Sequence, residues 1–132
     1  MILLQAHSGL RWLVVLATVI AIVWMLVGMV QQRTYDALAK RVMLFFSILI
    51  SLQWLLGIVL FLVTGGFDIS YRWIHALVMT VAVAVAHMHQ RWKNSPDSVR
   101  YRNSLLVVIA VLILVAIGIQ VLPQGWAMTR PV

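Results

Sequence analysis

Four apolar runs dominate this chain of 132 residues, each about as long as a helix must be to cross a lipid bilayer. They cover roughly Leu10–Val30, Val42–Thr64, Trp73–His87 with its flanks, and Leu105–Leu122. A helix needs about 20 mainly apolar residues to pass through ~30 Å of hydrocarbon. Lipid offers no water to satisfy backbone N–H and C=O groups, so each spanning segment must close its own hydrogen bonds. The expected fold is an all-α membrane protein, with four transmembrane helices in an antiparallel bundle. It forms one domain over residues 1–132, with spans at about 7–31, 42–64, 73–91 and 104–122. Hydrophobic residues make up 64% and charged residues 10%, too little polar surface for a soluble domain of this size.

The net charge of +7 would suggest a nucleic-acid partner in a soluble protein. Here the charges fall in short loops and read as topology signals, so membrane lipid is the expected surrounding and nucleic acid is not. Arg33, Lys40 and Arg41 lie between spans one and two, and Arg91, Lys93, Arg100 and Arg102 between spans three and four. The opposite side has Arg11, Arg72 and Arg130. This bias predicts cytoplasmic basic loops, with N- and C-termini outside. There are no cysteines, which excludes disulfides, thiolate metal sites and c-type haem attachment. The N-terminal MILLQAHSGLR lacks the basic n-region and cleavage site of a signal peptide, so the first span is expected to be retained.

Local signals place the helix ends. Thr34 is the expected N-cap of the second helix and Ser70 of the third, while Ser95-Pro96 reads as an N-cap followed by N1 of the fourth. Gly65-Gly66 should end the second helix and make helices two and three antiparallel neighbours. Trp12, Trp73 and Trp126, with Tyr71, are expected as the outer aromatic belt, and Trp92, Tyr35 and Tyr101 as the inner one. Ser47, Ser51, Gln53 and Gly57 put small or polar groups along span two, where they favour close helix approach and interhelical hydrogen bonds. Gln53 has two readings, a helix–helix contact or a contact to a cofactor or quinone.

An ionisable side chain in a membrane span is costly, which makes the histidines functional candidates. His7 begins span one and His75 begins span three; both spans run the same way, so the two imidazoles should lie at matched depth. Two histidines so placed on different helices suit bis-imidazole ligation of haem b, with His7 and His75 as the metal ligands. Arg11 and Arg72, one turn away, could pair with haem propionates. The competing reading is a pair of interfacial histidines bonded to headgroups or helix ends. His89 lies 14 residues beyond His75, about 40° short of four helical turns and ~21 Å along the same face. That spacing resembles the one by which di-haem proteins stack two haems, but span one offers no second histidine at that depth. His87 lies about 120° around the helix from His75.

Four segments carry a family resemblance: HSGLRW at His7–Trp12, LQWLLG at Leu52–Gly57, HALVM at His75–Met79, and AH at Ala86-His87. They resemble a family of short bacterial four-span membrane proteins described as cytochrome b-like. The resemblance implies His7 and His75 as principal site residues, with Gln53 and His87 as further positions and the bacterial inner membrane as the location. Ala76 stands where the family pattern has proline, and Met88 where it has glycine.

Two functions remain open. One is a b-type haem electron-transfer protein or subunit, its haem between spans one and three near the outer face. Its expected partners are other membrane subunits of an electron-transfer complex and, as a further candidate, quinone. The other is a cofactor-free accessory subunit of a larger respiratory or photosynthetic complex. Either is more a carrier or subunit than a stand-alone enzyme. Asp36, Asp68 and Asp97 all fall in loops, so no carboxylate stands at mid-membrane to relay ions or protons.

Overall fold

The computed structural model describes residues 2–123 and 125, and among these it contains helices and no strand. The elements are α1 (Ile2–Val30), α2 (Ala37–Thr64), α3 (Ser70–Ala86), a 3₁₀ segment (His87–Trp92) and α4 (Asp97–Gln120). All four spans are long and apolar enough to cross a membrane, α3 counting its 3₁₀ extension, so the chain is a multi-pass membrane protein. Trp126 and Arg130 lie outside the described residues.

The helices begin earlier than hydropathy suggests. α1 starts at Ile2, α2 at Ala37 and α4 at Asp97. Polar residues such as Gln5, Lys40 and Arg100 are good helix formers and extend each helix beyond the hydrocarbon layer. The caps also differ from expectation. Asp36, not Thr34, is the N-cap of α2, its Oδ1 accepting the Ala39 N–H at 2.9 Å. Ser70 is the first residue of α3 and makes no capping bond, and Pro96 rather than Ser95 precedes α4. Gly65 and Gly66 do end α2, with φ of 70° and 75°, left-handed values that favour glycine.

Each helix packs on its chain neighbours, and α4 returns to α1, so the bundle order is α1-α2-α3-α4 with α1 and α3 on one diagonal. The closure is uneven: α2 and α3 touch least of the four adjacent pairs. The core is uneven too. Met25, Met43, Phe46, Tyr101 and Val108 are all buried, and all belong to the half of the bundle nearest the basic loops. Ala21, Ala39, Ala82 and Ala86 are fully buried there. Small residues matter because lipid supplies no hydrophobic drive between helices, so close packing must hold them. Gly28 shows the limit: a Cβ there would run into the Tyr101 ring.

Tyr35 and Tyr101, expected in the inner aromatic belt, instead lie in this core. Their rings meet edge to face at 4.9 Å. Tyr101 Oη donates to the Thr34 carbonyl at 3.0 Å, and Tyr35 Oη shares a 3.2 Å bond with Ser104 Oγ. Arg100 stacks over the Tyr35 ring at 4.0 Å. Burial pushes the Tyr35 phenol above its usual pKa, so it stays neutral. The outward faces of all four helices carry Leu, Ile, Val and Phe, including Leu16, Phe45 and Ile113. Lipid accepts such a surface, whereas water would not.

Candidate functional site

The half of the bundle away from the basic loops is hollow. A partly open, mainly apolar cavity of about 360 Å³ lies among the first turns of α1 and α3 and the last turns of α2 and α4. Its polar lining includes His7, Arg11, Gln53, Arg72 and His75. The antiparallel topology makes this convergence: the starts of α1 and α3 come to the same end as the finishes of α2 and α4. His7 and Arg11 share a face because they are one turn apart.

His75 is held by a backbone acceptor. Its Nδ1 lies 2.7 Å from the Gly118 carbonyl oxygen. A carbonyl can only accept, so Nδ1 carries the proton and Nε2 keeps a free lone pair. The carbonyl is available because α4 ends there: the Leu122 N–H bonds to Ile119 O at 3.1 Å instead of continuing the ladder to Gly118. Gly118 also brings α3 close, since a Cβ would meet Met79 Cε at 2.6 Å.

His7 is seated differently. Its ring lies against Gly57, where a Cβ would come 2.9 Å from His7 Cε1. Its Nδ1 is buried without a hydrogen-bond partner. Gln53 Nε2 donates to the His7 carbonyl at 2.7 Å, which ties α2 to α1 and gives Gln53 its structural role. Its Oε1 is nonetheless buried and unpartnered. Orphaned buried polar atoms are rare, and each costs ~1–3 kcal/mol when nothing satisfies it. Both imidazoles line the same cavity.

The arginines line the cavity while also serving the fold. Arg72 Nη1 donates to the Gly65 carbonyl at 2.8 Å and lies 3.4 Å from Thr64 Oγ1, so it closes the end of α2. Arg11 is buried, with its guanidinium 4.8 Å from the centre of the Trp12 ring. The sparse α2–α3 contact is reinforced by a 2.9 Å bond from Trp54 Nε1 to Thr80 Oγ1.

Two sequence candidates are not at this cavity. His87 Nε2 bonds Ser51 Oγ at 2.8 Å, and His89 Nε2 is buried without a partner; both belong to the 3₁₀ segment. Tighter winding there, about 120° per residue, also alters the helical phase expected for His89. Gly118 was not singled out from the sequence. Its only signal is a glycine in the last turn of an apolar helix. Among the described residues no three His, Cys, Asp or Glu side chains gather, so a bare metal ion would find at most two histidine donors at this cavity.

Comparison with protein-family models, curated proteins and solved structures finds no match for this chain.

Proposed function

We propose that this chain is an integral membrane b-type haem electron-transfer protein, or a subunit with that task, in which His7 and His75 would hold the haem iron. The observation that carries the reading is the convergence of two imidazoles from diagonal helices on one apolar cavity. The donor set suits haem better than a bare ion, because a bare ion would need more protein ligands than the two histidines here, whereas haem brings nitrogen donors of its own. Bound haem would supply a one-electron couple.

The chain's own residues supply orientation and surroundings. The Gly118 carbonyl fixes the His75 tautomer and raises the basicity of Nε2. Gly57 leaves room for the His7 ring, and coordination would engage an imidazole whose Nδ1 is buried without a hydrogen-bond partner among the described residues. Val14, Ile50, Phe61, Met79 and Ile119 provide apolar walls, while Arg11 and Arg72 offer cations for propionates. A cavity of about 360 Å³ falls in the usual range for ligand sites. Under the positive-inside bias the basic loops face the cytoplasm of a bacterial inner membrane, and the cavity lies toward the opposite face. Other membrane subunits, with quinone as a diffusible donor or acceptor, would meet it there.

The test is to purify the chain from cells supplied with haem and record oxidised and reduced absorption and electron paramagnetic resonance spectra. A low-spin bis-histidine signature is expected. His7→Ala and His75→Ala should each empty the site or convert it to high spin. A low-spin spectrum unchanged in both variants would place the ligands elsewhere. A wild-type protein that takes up no haem would leave the cofactor-free accessory subunit as the better account.

A further inference from the structure

A second cavity, of about 320 Å³, lies between α1 and α2 and shares no lining residue with the first. Its lining is Ala17, Ile20, Leu38, Arg41, Val42 and Phe45. Ala17 is buried and small, so it forms a floor, while Ile20, Leu38 and Phe45 stand exposed as walls. The result is a furrow on the lipid-facing side of the bundle. Between Leu38 and Phe45 it follows α2 for about 10 Å.

Arg41 is the one charged side chain in this lining, and it sits near the basic-loop end of α2. It is exposed, and its guanidinium makes no hydrogen bond or ion pair with the described residues. Three other charged groups at this end of the bundle are engaged within the protein. Arg100 stacks on Tyr35, Arg102 Nε donates to Asn103 Oδ1 at 3.2 Å, and Asp36 Oδ1 accepts the Ala39 N–H. Arg41 therefore presents a guanidinium fork beside an apolar furrow at the membrane edge, at the end of the bundle that carries most of the positive charge.

We infer that this furrow binds one anionic phospholipid, with an acyl chain along Ala17 and Phe45 and the phosphate on Arg41. Arginine matches phosphate with parallel N–H···O bonds, and basic pockets between membrane helices recruit anionic headgroups. A partner helix fits less well. Two turns of furrow give it little to pack on, and it would have to bring an anion to Arg41. The inference is independent of haem.

The test is native mass spectrometry of the full chain in detergent, titrated with phosphatidylglycerol or with phosphatidylcholine of the same acyl chains. One phosphatidylglycerol should be retained in preference to phosphatidylcholine. Arg41→Gln should weaken that retention about five-fold, the weight of one basic side chain near an anionic surface. Ile20→Trp and Leu38→Trp fill the furrow from lipid-exposed positions and should also weaken it, although no charge changes. Lys40→Gln removes a neighbouring charge outside the furrow and should stay within two-fold of wild type. The inference is overturned by equal retention of the two lipids, by a Lys40→Gln loss matching that of Arg41→Gln, or by wild-type retention in both tryptophan variants.

Discussion

Gly57→Ala separates the stability of the bundle from the geometry of the site. The added Cβ would lie 2.9 Å from His7 Cε1, where ordinary contact begins at 3.4 Å, so the ring or the helix must yield by about 0.5 Å. His7 is on α1 and Gly57 on α2, and the Gln53 bond to the His7 carbonyl restrains the two helices from parting there. The ring is the part that gives. Overpacking of this kind costs about 1–3 kcal/mol, while alanine restores up to ~1 kcal/mol of helix propensity. Net stability should therefore fall by at most about 2 kcal/mol. A ligand needs its geometry held to within about 0.5 Å, so the same displacement falls on coordination. If the packing penalty is charged to the haem-loaded state, affinity drops roughly 5- to 150-fold. The assay is haem titration into the purified variant, read by low-spin absorption, beside thermal unfolding of the haem-free protein. Gly9→Ala is the control, because a Cβ there meets nothing within 4 Å. A Gly57→Ala protein that binds haem with wild-type affinity and spectrum would refute the seating of His7 as the ligand geometry.

Arg11→Gln should keep the bis-histidine spectrum while weakening haem retention by about 10-fold or more, the weight of one charge-assisted hydrogen bond; redox titration and occupancy check this. Reporter fusions at Ser95 and Thr129 should read opposite sides of the membrane, and fusions reading the same side would contradict the four-span topology. Asp36→Ala removes the N-cap of α2 and should cost about 1 kcal/mol in detergent unfolding. Gly28→Leu drives a side chain into the Tyr101 ring and should cost about 1–3 kcal/mol or more, with loss of the Tyr101 anchor to Thr34.

Span number and order were readable because hydropathy over some twenty residues answers directly to bilayer thickness. The presence of His7 and His75 at one end of the bundle followed from the same source, since two helices running the same way carry their first histidines to that end. Helix starts were not readable from hydropathy, because a helix is continued by backbone bonds wherever its residues permit, as Gln5 and Lys40 do. Tyr35 and Tyr101 misled because a tyrosine at the membrane edge and one in the core have the same sequence context; Gly28 on a distant helix makes the difference. The hold on His75 was invisible for another reason. Its partner is a carbonyl, which every residue has, and only the fraying of α4 selects the one at Gly118.

The division of the bundle into a packed half and a hollow half bears on how such a chain can be remodelled. The buried apolar cluster, from Met25 and Tyr101 to Phe46 and Val108, shares among its buried members only Ile50 with the described cavity lining, where the ties between helices are single polar bonds from Gln53, Trp54 and His75. Substitutions around the cavity can thus alter what is held there while the interlocked end keeps all four helices in register. The scaffold works like a tuning fork clamped at its base, whose prongs can be reshaped without loosening the grip.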